Sequence, residues 1–341
     1  VKRGESDDVP ENATRTLSGF GPRAVGRRLR LESIPRGRHI DLPTLELSGV
    51  SSGYEGRPVL HDITLEAQES AIYVVLGPNG AGKTTLFRTI AGILEPYSGK
   101  VLFDGEDLTR SKEARRRVNY LSHFNAIPEE MTVRGALDFY AKIEGGSVDD
   151  VISLLNLEEL KDKKVSDLSQ GQKKRVSIAK VFLRERDLYL LDEPTSNLDP
   201  AVSKEIRDIL LRLSKDRIVF YSSHNLYEAR DIGTNLILVR DGTIGFFDKI
   251  SNIKSKEYRV GIRTTTDISK IIDATPGEGG YYVLSVSKPE EAGFALRKLV
   301  ENGVLVTEMR QLDNPLQDLF DDIYDEGTAV KKEKRRVEER E

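Results

Sequence analysis

The residues Gly77-Pro78-Asn79-Gly80-Ala81-Gly82-Lys83-Thr84-Thr85 follow the spacing G-x-x-x-x-G-K-[ST]. Glycines leave backbone N–H groups bare to surround phosphate oxygens, and a helix starting at the end of such a loop favours anions. Lys83 adds a point charge for β- and γ-phosphates, and the Thr84 hydroxyl suits a hard cation such as Mg²⁺. Farther along, Leu190-Leu191-Asp192-Glu193 is an apolar run ending in two acids. Beside a phosphate-binding loop, Asp192 is placed to hold the Mg²⁺ shell and Glu193 to orient and deprotonate an attacking water. The chemistry expected of the set is phosphoryl transfer to water.

Such groups need a rigid frame. Ile72 to Leu76 is a continuous apolar run ending at Gly77, the pattern of a strand buried on both faces, and a helix is expected to begin near Gly82. Further β-rich runs at Val101 to Phe103, Leu188 to Leu191, Ile218 to Tyr221 and Leu236 to Val239 alternate with helical patterns such as Ala201 to Leu213. Strands alternating with helices predict an α/β sheet. The folded region is expected to start at Thr44, and residues 1–43, rich in Gly, Pro and Arg, read as a mobile extension. Its cluster Arg27, Arg28 and Arg30 reads as part of a solvated tail. After residue 255 a second alternation reads as βαβαβα: strands at Tyr258 to Arg263, Tyr281 to Ser287 and Val304 to Arg310, with helices at Asp267 to Ile272, Pro289 to Asn302 and Pro315 to Tyr324. The predicted division is 44–250, 256–325 and a charged tail over 326–341.

Composition narrows the classes. A chain of 341 residues holds about two domains. With 38% hydrophobic and 32% charged residues, neither wholesale disorder nor a membrane-embedded chain fits. No apolar stretch approaches the roughly 18 residues needed to span a bilayer, and no secretory signal is visible, so the expected site is cytoplasmic. There is no Cys, and the four His residues, His39, His61, His123 and His224, show no zinc spacing. A net charge of −4 gives no reason to expect nucleic acid as a partner.

Further motifs, in order, make the chain resemble the nucleotide-binding subunit of an ATP-binding cassette (ABC) transporter. Leu168-Ser169-Gln170-Gly171-Gln172 resembles the family signature LSGGQ and stands before a helix, upstream of Asp192. Pro194-Thr195 and Ser196-Asn197-Leu198-Asp199 resemble the segment after the catalytic Glu and the D-loop, which links the two sites. His224 resembles the switch histidine on the γ-phosphate, and Tyr54 the aromatic residue that stacks on adenine. The resemblance implies a P-loop cassette with a mixed sheet, flanking helices and a helical subdomain, binding ATP and Mg²⁺. It implies Glu193 and His224 as catalytic residues, and Ser169, Gly171, Gln172 and Asp199 as nucleotide contacts made across a head-to-tail dimer of two copies. It further implies a separate integral membrane permease, with the ATPase peripheral on the inner face of the cell membrane. The C-terminal segment Asn314-Pro315-Leu316-Gln317-Asp318-Leu319-Phe320 resembles extensions of ATPase subunits in ABC-2 exporters. There are two departures. Gln170 replaces a usual Gly of the signature. In Asn119-Tyr120-Leu121-Ser122-His123-Phe124-Asn125 the family places a Gln on Mg²⁺; here His123 stands there, or Phe124 with a shift of one residue, and a water is expected to take the metal position. Rival readings are a soluble ABC ATPase acting on a macromolecular assembly and a nucleotide switch of low turnover.

Overall fold

The computed structural model describes residues 43–123, 127–254, 258–312 and 314–324. The N-terminal extension up to residue 42, with its arginine cluster, Phe124 and the tail from 326 lie outside the described residues.

The chain opens with antiparallel strands β1 (Leu45–Tyr54) and β2 (Arg57–Ala67), followed by β3 (Ala71–Leu76) and helix α1 (Lys83–Ile90). Then come β4 (Ser98–Phe103), β5 (Glu106–Asp107), the short α2 (Lys112–Arg115) and β6 (Val118–Leu121). A helical stretch holds α3 (Val133–Glu144), α4 (Val148–Leu154) and α5 (Gln170–Phe182). The chain returns through β7 (Leu188–Asp192), α6 (Pro200–Leu213), β8 (Ile218–Ser222), α7 (Leu226–Ile232), β9 (Asn235–Arg240) and β10 (Thr243–Lys249).

Two sheets result. One is antiparallel, in the order β2-β1-β4-β5; the other runs β10-β9-β3-β8-β7-β6 and is parallel except for its edge strand β10. Every residue of β3, β7 and β8 is buried, as the unbroken apolar runs predict for strands covered on both faces. Between the two sheets, Leu47, Leu65, Val75, Phe87, Val101 and Phe220 belong to one core. Phe220 stacks on Tyr73 with ring centroids 5.1 Å apart and meets the edge of Phe87 at 6.4 Å. The other face of the parallel sheet packs on helices, and this core continues into the helical stretch through Val133, Leu137, Ile152 and Val176. Each of those helices opens on a hydroxyl cap: Thr132 before α3, Ser147 before α4 and Ser169 before α5.

The parallel register fixes the site. Leu121 lies beside Leu191, Asp192 beside Ser222, and Val75 beside Ser222. The C-terminal ends of β3, β6, β7 and β8 therefore open onto one edge, where ligands bind in sheets of this kind.

The remaining segment forms a four-stranded antiparallel sheet in the order β12-β13-β11-β14, from β11 (Tyr258–Thr264), β12 (Ala274–Pro276), β13 (Tyr282–Val286) and β14 (Val306–Gln311), with α8 (Pro289–Glu301) packed on it. The helix expected over 267–272 is absent. Asp267 Oδ1 instead accepts bonds from the Ser269 N–H at 2.9 Å and its hydroxyl at 2.7 Å, closing a turn that leads into β12. The last helix, α9 (315–324), leaves this small sheet and lies on the cassette: Leu316 is 1% exposed, and Leu319, Phe320 and Ile323 pack on the core beneath the parallel sheet. Among the described residues no helix is long and apolar enough to cross a membrane.

Candidate active site

The loop between β3 and α1 is shaped by its glycines. Gly80 sits at φ 82°, which a side chain rarely tolerates, and a Cβ on Gly77 would come within 2.4 Å of the Val239 carbonyl oxygen. Lys83 turns back over the loop and donates from Nζ to the Gly77 carbonyl at 2.6 Å and the Pro78 carbonyl at 3.2 Å. Burial lowers its ammonium below the ordinary lysine range, partly offset by the charges of Glu193 and Asp192.

Strand ends bring the acids to this loop. Thr84 Oγ1 donates to Asp192 Oδ2 at 2.7 Å, and Ser222 Oγ donates to Asp192 Oδ1 at 2.7 Å. The Glu193 N–H donates in turn to Ser222 Oγ at 2.9 Å. Glu193 itself has φ 48°, a strained conformation for a non-glycine residue, pinned by Ser196, whose hydroxyl donates to the Glu193 carbonyl at 2.8 Å. Two imidazoles flank its carboxylate: His224 Nδ1 lies 3.6 Å from Oε1, and His123 Nδ1 lies 3.6 Å from Oε2.

An open cavity of about 890 Å³ gathers Tyr54, Gly77, Pro78, Asn79, Gly80, Gly82, Lys83, Thr84, Thr85, His123, Asp192, Glu193 and His224. Ala81 does not line it; its methyl belongs to the core between the sheets. Tyr54, at the mouth, accepts a hydrogen bond from Arg88 at 3.0 Å. Ser169, Gly171, Gln172 and Asp199 lie outside the cavity. Ser169 and Gln172 form a reciprocal capping box at the start of α5, and a Cβ on Gly171 would meet the Asn197 carbonyl at 2.8 Å, so the signature turn sits against the D-loop. Gln170, the departure from the signature, is exposed and leaves this cap intact.

The hydroxyl of Thr84 and the carboxylate of Asp192 form a paired oxygen set, as Mg²⁺ prefers when phosphate and water complete its shell. The residues present fit that ion. His123 faces the Glu193 carboxylate.

A family model described as ABC transporter matches residues 60–196. An uncharacterized ABC transporter ATP-binding protein of Bacillus subtilis, YcbN, is 31% identical over 207 residues, covering 59% of this chain and 67% of its own length. The chain belongs to the ATP-binding proteins of ABC transporters. The cassette is accordingly an ATP hydrolase that uses ATP with Mg²⁺. The bacitracin transport ATP-binding protein BcrA of Bacillus licheniformis is 27% identical over 301 residues, covering 83% of this cassette chain and 98% of BcrA. A solved structure described as the ATP binding subunit of an ABC transporter superposes with a TM-score of 0.57 at 27% identity, over 61% of this chain and 91% of that one.

Several residues at the site carry no motif. Ser222 joins the two acids through backbone register. Lys174, 3% exposed, points from α5 at the Asp192 carbonyl at 3.4 Å, and burial pushes its ammonium down to about 8. Glu228 on α7 accepts from Thr195 at 3.0 Å and Ser223 at 3.1 Å and pairs with Arg207 at 3.2 Å, fixing the turns after β7 and β8 beside Glu193. Phe320 of α9 contributes to the cavity wall. Only the helical spacing of α9, with Leu316, Leu319, Phe320 and Ile323 on one face, hinted at any of these.

Proposed function

We propose that this cassette is the motor of a transporter, dimerising head to tail with a second copy on ATP and driving a separate membrane permease, in the direction of export. The phosphate-binding loop and Lys83 hold the triphosphate, and Tyr54 stacks on the adenine. Mg²⁺ held by Thr84 and Asp192 would neutralise charge on the β- and γ-phosphates. Glu193 takes a proton from water as its oxygen attacks the γ-phosphorus; the bond from that phosphorus to the bridging oxygen breaks, and ADP and phosphate result. His224 contacts the γ-phosphate and steadies the arrangement.

The observation that carries the dimer reading is the placement of Ser169, Gly171 and Gln172. They form a well-capped helix start, yet that start lies outside the cavity of its own chain. We read this helix N-terminus as offered to the nucleotide of a second copy. Export rests on the C-terminal segment, which resembles that of ABC-2 exporter ATPases. The division into a cassette over 44–250 and a small domain over 256–325 is supported by the separate cores and sheets, with α9 packing on the cassette core. Localisation on the cytoplasmic face follows from the permease.

The test is Glu193→Gln. With ATP and Mg²⁺ it is expected to stop turnover and to elute from a sizing column as a dimer, whereas the parent elutes as a monomer once its ATP is consumed. Parental turnover by the variant would remove Glu193 as base, and a monomer under all conditions would remove the sandwich.

A further inference from the structure

Three of the strands that end at the reacting edge lie in the order β8-β7-β6, with β7 in the middle. Glu193 follows β7 immediately, so it stands between whatever follows its two neighbours. The register pairs Asp192 with Ser222, which places His224 just past Glu193 on one side. It pairs Leu121 with Leu191, which places His123 level with Glu193 on the other. The side chains follow this backbone symmetry: each imidazole Nδ1 stands 3.6 Å from a different carboxylate oxygen. The carboxylate is only 17% exposed, so its orientation is set by these neighbours more than by water.

We propose that His123 is a positioning residue for the base, so that this cassette holds Glu193 in a clamp of two imidazoles, one from each flanking strand. This rests on the reading of Glu193 as the base. With a proton on Nδ1 each ring can donate to one carboxylate oxygen. A separation of 3.6 Å is longer than a hydrogen bond, and catalytic contacts of this kind shorten when substrate closes the site. A carboxylate held from both sides cannot swing about its last torsion, which keeps one lone pair aimed at the water. The role differs from that of a metal ligand: His123 acts on the orientation of the base, while Thr84 and Asp192 supply the oxygens for the ion.

The test compares His123→Ala, His123→Gln and Glu193→Gln with the parent, measuring ATP hydrolysis against ATP and against Mg²⁺, and nucleotide affinity by calorimetry. A misoriented reacting group costs up to about a hundredfold, so His123→Ala is expected to lower kcat by about ten- to a hundredfold. Its KM for ATP, its nucleotide affinity and the Mg²⁺ concentration for half-maximal rate are expected to stay at parental values. Added imidazole is expected to restore part of the lost kcat in His123→Ala, and none in Glu193→Gln. A normal kcat in both His123 variants overturns the proposal, as does a loss that excess Mg²⁺ repairs, which would make His123 a metal-side residue. Glu193→Gln separates the two readings: if it turns over at the parental rate the base assignment falls, and if it is inactive while His123→Ala is not slowed, the clamp alone falls.

Discussion

Ser222 is the residue through which the two acids are joined. It is fully buried, its hydroxyl hydrogen goes to Asp192, and its oxygen receives the Glu193 N–H. Ser222→Ala leaves an Asp192 oxygen, in a residue 2% exposed, without its donor. An unsatisfied buried polar group costs about 1–3 kcal/mol. The variant is therefore expected to lose about that much stability in urea denaturation and to lower kcat for ATP, with little change in KM. A kcat equal to the parent's would show that the hydroxyl does not align the acids. Nothing in the sequence around Ser222 marks it, since the pairing arises from strands β7 and β8, whose contacting residues are about thirty positions apart. By contrast, the loop from Gly77 to Thr85 and the pair Asp192-Glu193 are each contiguous, so their grouping at one site was legible residue by residue. His123 lay between: its place in the chain was legible, its partner was not, because facing Glu193 depends on the β6–β7 register.

At the scale of elements, the buried strands carried the clearest signal. The unbroken apolar runs of β3, β7 and β8 have no polar face to offer water, as suits a parallel sheet covered on both sides. Phe220 in the middle of β8 shows what that burial is worth. Its ring is fully buried between Tyr73 and Phe87. Phe220→Ala is expected to cost about 3–5 kcal/mol, read as a lower urea midpoint. A loss below about 1 kcal/mol would mean that the core between the sheets collapses to fill the space. The segment 267–272 shows why short elements are harder to read. Its Ile268, Ile271 and Ile272 have helical spacing, and all three pack in the core of the small domain. Six residues give too few backbone bonds to offset helix nucleation, and the Asp267 side chain offers the backbone a turn instead. The three isoleucines reach the core without the expected helix between them.

Over the whole molecule, α9 follows the small sheet in the chain and packs on the cassette core. Asn314 caps it by accepting the Leu316 N–H at 3.1 Å, and Arg230 of the cassette donates to Gln311 at 2.9 Å just before it. At its far end the Tyr324 hydroxyl donates at 2.7 Å to the Val239 carbonyl, the same oxygen that crowds Gly77. Burial raises the Tyr324 phenol to about 12, so this donor keeps its proton throughout the physiological range. Tyr324→Phe removes one hydrogen bond, worth about 1 kcal/mol, and is expected to speed amide hydrogen exchange in β9 and around Gly77. Exchange unchanged in both segments would show that α9 does not brace the loop. A chain is made from its N-terminus, so every motif of the nucleotide site is synthesised before α9. During synthesis the cassette thus passes through a stage at which it has its phosphate loop, both acids and both histidines, yet lacks one wall of the pocket and the brace on β9. A message cut short after the motifs would encode that incomplete form permanently.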